Sequence, residues 1–240
     1  MKNYEENYWA KRAGQYNKTS WVKDEDFMDA FLGMLPKQTF NSILEIGIGT
    51  GVVAEKVVNN FGPLIGIDIS KEMITQINHP NITAIVGDAH KLEFDNYSFD
   101  LIYMRNVIHY IDNPDLVFSE IHRCLQSGGY FLFSQVVPPN DSLSEEYDWI
   151  VGRDIHYPTQ GEIVKLFLKY SNLKRDYFIL RNQSIMNWLN NTSNDKHIKE
   201  DIIIRHKATS DQYKTLVNYK MKDDDILVDI KHLIILAQKK

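Results

Sequence analysis

Residues 44–51, Leu44-Glu45-Ile46-Gly47-Ile48-Gly49-Thr50-Gly51, place one acid and three alternating glycines directly after the apolar run Ser42-Ile43-Leu44. Glycine accepts positive φ at no steric cost. Lacking a Cβ, it also lets backbone N–H groups approach a ligand closely, and a strand-to-helix turn needs both properties if it is to hold a nucleoside cofactor. A dinucleotide fingerprint GxGxxG would put its third glycine at position 52, and that residue is Val52. The spacing is ExGxGxG, which argues for an α/β nucleoside site other than that of NAD.

The downstream segments follow in a matching order. Val53, Val57 and Val58 share a helical face, and the apolar run Leu64-Ile65-Gly66-Ile67 ends in Asp68. Ser70 suits a helix N-cap with Met73 one turn in, and a strand over Ile82–Val86 leads into Gly87-Asp88-Ala89. Ser98–Ile111 reads as a fourth strand with its turn, and Leu125–Gln135 as a double-glycine turn with a fifth strand. Over about residues 40–136 this series resembles the class I S-adenosylmethionine (SAM)-dependent methyltransferase superfamily, in its small-molecule branch.

The resemblance implies a Rossmann-like three-layer α/β sandwich. Its seven-stranded, mostly parallel sheet would have the order 3-2-1-4-5-7-6, with the last strand antiparallel. It implies SAM as cofactor and S-adenosylhomocysteine as product. Glu45, Gly47, Gly49 and Gly51 would form the cofactor turn, Asp68 with Ile69 would hold the ribose, Met73 would pack on adenine, and Asp88 and Ala89 would meet the adenine edge. Tyr16 belongs to YWAKRAGQYN, which resembles the N-terminal helix that closes over the cofactor in many members. Three departures stand out: Gln126-Ser127 replaces Lys-Pro, Glu93 replaces a proline, and Arg105 occupies a position usually small and beside the methionine moiety. A guanidinium there either contacts cofactor and an anionic acceptor or makes a structural ion pair.

With 240 residues, 43% of them apolar, the chain fits one domain: an N-terminal helical lid over 1–36, a SAM-binding core over 37–137 and an acceptor-side half over 138–240. A formal charge of -5 provides no general basic field, so an extended nucleic-acid surface is not expected. The single cysteine, Cys124, excludes an internal disulfide and falls on the apolar face of Leu116–Leu125 as a structural thiol. With no signal-like start and no run approaching 18 apolar residues, the reading is a cytoplasmic protein without membrane contact, monomeric or homodimeric. The eight histidines show no HxxxH spacing, and no metal site is expected.

Helical patterns cover 5–16 and 23–35, the second ended by Pro36. Pro138–Ser142 marks a loop, and Thr159 with Glu162 makes a capping box opening a helix over 160–170, ahead of a sixth strand near 176–180. Between that strand and a last one over 226–237 lies an insertion, 184–222, with three helical patterns. It reads as a cap over the acceptor pocket or as a structural or dimerising decoration.

Methyl transfer is an in-line displacement at an activated carbon, so holding the acceptor at attack distance in a water-poor pocket supplies much of the rate. Beyond the strand ends lie Tyr110, Arg153, Tyr157 and Trp188 as acceptor contacts, together with Arg105. His156 and His109 are the candidate bases, each with a structural or surface alternative. The acceptor would be a small molecule. The alternatives are non-methyl chemistry on the same fold such as cyclisation, a non-catalytic partner role, and protein or RNA methylation; against the last, Arg105-Asn106-Val107-Ile108-His109-Tyr110 lacks a (D/N)PPY motif.

Overall fold

The computed structural model describes residues 9, 14, 20–152, 154–193 and 195–240. After a 3-10 turn at Ser20–Lys23, helix α1 (Glu25–Gly33) starts on Asp24, whose carboxylate accepts the Phe27 N–H at 2.8 Å, and buries Phe27, Met28 and Phe31. Then come β1 (Ile43–Ile46), α2 (Val52–Phe61), β2 (Leu64–Asp68), α3 (Lys71–Ile74), β3 (Ile82–Val86) and β4 (Phe99–Arg105). A 3-10 turn at Ile108–Tyr110 leads to α4 (Pro114–Cys124) and β5 (Leu125–Val136). The second half holds α5 (Ser144–Val151), α6 (Gln160–Leu166), β6 (Tyr170–Ser184), α7 (Ile185–Thr192), α8 (Lys196–Ala208), α9 (Asp211–Leu216), β7 (Lys220–Lys222) and β8 (Asp225–Lys239).

The sheet has the order β3-β2-β1-β4-β5-β8-β6. Strands β1 to β5 pair in parallel, and β8 runs antiparallel to both β5 and β6. This is the Rossmann-like order expected, with one addition: β7 pairs with β8 through Lys220↔Leu227 and makes the sheet eight-stranded. β1 is buried at all four positions, as a central parallel strand covered on both faces must be, and this accounts for its unbroken apolar run. One apolar cluster, with Phe118, Phe131, Phe133 and Phe167, packs on one face of the sheet; a second, with Phe27, Phe31, Val57 and Leu132, packs on the other. Cys124 is fully buried in the first, and burial pushes its thiol pKa up.

Boundaries moved where tertiary pairing overrode local pattern. β6 begins at Tyr170 rather than near 176 because it pairs along most of β8, and α6 correspondingly ends at Leu166. The Thr159–Glu162 capping box forms as expected. α5, by contrast, follows Pro138–Ser142 in a stretch with no helix expected, and its buried Ile150 and Val151 join a third apolar cluster with Trp188, Leu189, Ile202 and Tyr213 from the insertion. No helix among the described residues is long and apolar enough to cross a membrane.

Candidate functional site

The glycine turn joins β1 to α2 and is tied to the neighbouring strand. The N–H groups of Gly47 and Ile48 both donate to the Ile67 carbonyl, at 2.9 and 3.0 Å. Gly47 has φ +71°, and a Cβ there would lie 2.3 Å from Val107 Cγ2; Gly49 has φ +56° and open space within 4 Å. The first glycine is therefore demanded by packing, and the second leaves clearance for a ligand.

Asp68 stands across this clearance at the end of β2. One carboxylate oxygen accepts the Gly49 N–H at 2.8 Å and the other the Ser70 N–H at 2.9 Å. Burial raises its pKa, and these backbone bonds oppose the rise. A carboxylate offers about four lone-pair sites, so two ribose hydroxyls can be accepted alongside the two N–H groups. Ser70 caps α3 through the Met73 N–H. Met73 is turned inward at 3% exposure, whereas Ile69 is 51% exposed and is the apolar side chain that this turn offers outward. Asp88 accepts from the His90 backbone N–H at 2.9 Å and contacts its ring at 2.7 Å; partial burial would raise its pKa, but these contacts hold it below the ordinary value. Ala89 packs on the core beside it.

Beneath the turn, Glu45 is buried and accepts the Tyr103 hydroxyl at 2.7 Å. Burial pushes its pKa up to about 8, against the opposing pull of the Tyr103 bond and the Arg105 charge. The Arg105 guanidinium donates to the Val22 carbonyl at 3.0 Å and stacks 4.4 Å from the Phe27 ring centroid. Its charge, after burial itself, also helps depress the pKa of fully buried His232 to about 3. Arg105 is thus held against the N-terminal elements, between Glu45 and His232.

The chain then turns over the ends of β4 and β5. Asn106, at φ +55°, donates its N–H to Ser134 and accepts the Val136 N–H through its side chain at 3.0 Å. Beyond it opens a cavity of about 120 Å³, walled by Asn106, His109 and Tyr110 from this turn, Tyr147 from α5, Tyr157 from the loop after it, Val228, Ile230 and His232 from β8, and Trp188, His206 and Tyr213 from the insertion. His109 Nδ1 lies 2.9 Å from Gln135 Nε2 and 3.3 Å from its Oε1, and its ring stacks on Tyr157 at 4.6 Å. Trp9 meets Tyr110 edge-on at 4.9 Å. Three of the sequence candidates for the acceptor side, Tyr110, Tyr157 and Trp188, therefore converge on one cavity with His109.

His156 does not join them. Its imidazole faces a separate surface hollow and bridges Asp148 at 2.7 Å and Glu162 at 3.2 Å, contacts that raise its pKa against the effect of partial burial. Its structural role is to tie α5 to the α6 capping box. Tyr16 and Arg153 lie outside the described residues. Sequence reasoning passed over Asn106, Gln135, Tyr147, His206, Tyr213 and His232. For His206 a signal existed: it stands four residues after Ile202, on the same helical face.

The glycine turn, the acid closing β2 and the strand order are those expected of the class I SAM-dependent methyltransferase fold. Residues 44–133 match the family described as methyltransferase domain. An uncharacterized protein of Methanocaldococcus jannaschii is 29% identical over 187 residues, covering 73% of this chain and 86% of that protein. A malonyl-[acyl-carrier protein] O-methyltransferase of Herminiimonas arsenicoxydans is 31% identical over 103 residues, covering 42% of this chain and 39% of the relative, so the similarity spans about two fifths of that enzyme. Among solved structures, the YcgJ protein of Bacillus subtilis superposes with a TM-score of 0.77 at 19% identity over 89% of this chain and 97% of that one, a likeness of fold.

Proposed function

We propose that this protein methylates a small molecule, on O, N or C, in the aromatic cavity. The observation that carries the reading is the juxtaposition of two sites: the Gly49–Asp68 clearance and the cavity lie on either side of the Asn106–Tyr110 turn, at the strand ends where open α/β sheets bind ligands. SAM supplies a methyl group already activated by its sulfonium. In this reading Asp68 accepts the ribose hydroxyls, the Asp88–Ala89 segment takes the adenine edge, with Ile69 as its apolar neighbour, and Glu45 supports the turn from below. The insertion helices act as the cap that excludes water from the acceptor.

His109 is a positioning group. The Gln135 amide meets its Nδ1 through nitrogen at 2.9 Å and oxygen at 3.3 Å, and with the stacked Tyr157 ring it fixes the orientation of the imidazole in the cavity. Holding the acceptor against the cofactor in a cavity lined by tyrosine, tryptophan and histidine then supplies the rate. The test is incubation with methyl-labelled SAM and pooled small-molecule acceptors. Label should leave the cofactor for a small product, with S-adenosylhomocysteine formed in equal amount. Label that stays in SAM, a substrate converted without acquiring label, or label found in protein or RNA would overturn the reading.

A further inference from the structure

The cavity wall contributed by the insertion contains one polar side chain whose hydrogen-bonding state is fixed by geometry. His206, on α8, is 3% exposed, and its Nδ1 lies 2.8 Å from the Ile202 carbonyl one turn earlier. A carbonyl only accepts, so the proton of the neutral ring sits on Nδ1 and Nε2 carries a lone pair. No described residue donates to that Nε2, although the ring lines the cavity. Burial holds the His206 pKa down to about 4, so the ring stays neutral near pH 7.

The charged groups on the rest of the wall are already engaged. Asp229 is bound by Arg181 at 2.7 Å and by the Asn182 N–H at 2.8 Å. Lys231 donates to the Pro139 carbonyl at 3.4 Å, on the same wall, and lies 4.6 Å over the Tyr177 ring. Trp188, Tyr147 and Tyr213 supply flat apolar faces around the histidine. A buried acceptor left unmatched costs about 1–3 kcal/mol, so a ligand that fills this cavity without an N–H or O–H donor leaves that cost in place.

We infer that His206 is a specificity-determining residue: its Nε2 accepts a hydrogen bond from the methyl acceptor, which is an uncharged, flat, ring-containing molecule bearing an O–H or N–H donor. The inference rests on the proposed methyltransferase reading and refines its substrate class. It also gives the insertion a chemical role beyond covering the cavity.

The near-isosteric pair indole, with an N–H, and benzofuran, without one, tests it on the full-length protein saturated with S-adenosylhomocysteine, by calorimetry. Indole should bind at least tenfold more tightly than benzofuran. His206→Phe should abolish the difference by weakening indole alone, and His206→Gln, which can return a carbonyl oxygen to the site, should restore part of it. In both variants S-adenosylhomocysteine affinity should stay within twofold of wild type. Equal binding of the two heterocycles, failure of indole to bind, or a preference that survives in His206→Phe overturns the assignment. Failure to bind S-adenosylhomocysteine at all is a different result, and it sinks the methyltransferase reading itself.

Discussion

Glu45 is an acid that the fold keeps protonated near neutrality, and Glu45→Gln isolates the consequence. Its pKa rises from 4.5 to about 8 because burial disfavours the carboxylate more than the Tyr103 hydroxyl and the Arg105 charge favour it. The folded state therefore binds a proton that the unfolded chain releases between these two values. Stability from this group is complete below pH 4.5 and is lost as pH rises to about 8, at about 1.4 kcal/mol per unit. Between pH 6.5 and 8 the wild type should lose about 2 kcal/mol in this way. His206 and His232, with pKa values depressed by burial from 6.5 to about 4 and about 3, oppose the loss at the lower end of this window, but equally in both proteins, so the difference between wild type and Glu45→Gln reports Glu45. Glutamine keeps a carbonyl for the Tyr103 hydroxyl and removes the titration. Urea denaturation at pH 6.5, 7.2 and 8, with m-values held common, should show the wild type falling by about 2 kcal/mol relative to Glu45→Gln. Parallel curves would mean that Glu45 is ionised in the folded protein and that the desolvation argument fails.

Two further outcomes follow from the cofactor turn. Asp68→Ala should weaken S-adenosylhomocysteine by well over tenfold, since each charge-assisted bond is worth about 1.5–3 kcal/mol; unchanged affinity in calorimetry would remove Asp68 from the site. Gly47→Ala and Gly49→Ala should separate fold from ligand. The first, at φ +71° and 2.3 Å from Val107, should lose about 2–4 kcal/mol of stability; the second, at φ +56° in open space, should lose only about 1 kcal/mol while impairing S-adenosylhomocysteine binding, and equal stability losses would contradict the division.

The geometry of the glycine-turn half was legible because its determinants are local. Alternating glycines after an apolar strand, an acid closing the next strand and a serine cap each dictate geometry within a few residues, and Gly49, Asp68 and Ser70 meet as that order required. The acceptor half was not, because its surroundings come from contacts distant in sequence. α5 is buried by helices some fifty residues further on, so its own pattern, Ser144-Glu145-Glu146-Tyr147-Asp148-Trp149-Ile150-Val151, looks weakly amphipathic. His206 shares the Ile202 face of α8, but its neighbours Arg205 and Lys207 hide that signal, and the cluster of Ile202 with Tyr213 shows which face turns inward. His156 shows the reverse error: loop position and residue type suggested chemistry, but its two carboxylate neighbours occupy it in a structural clasp.

The insertion leaves and rejoins the sheet at adjacent points. Ser184, the last residue of β6, pairs with Leu227 of β8, which also pairs with Lys220, and the Ser184 hydroxyl donates to Asp225 at 2.5 Å. Its two ends are therefore clamped together at the mouth of an antiparallel pair, as the ends of a hairpin loop are, and lengthening or replacing what lies between them adds only slowly to the entropy of closure. Descent with modification can work on such a stretch as a cassette: α7, α8 and α9 can be exchanged or resized without disturbing the register of β6 on β8, provided that their replacement still covers Ile150 and Val151 of α5. A lineage built this way would keep its donor chemistry fixed while its choice of acceptor drifts.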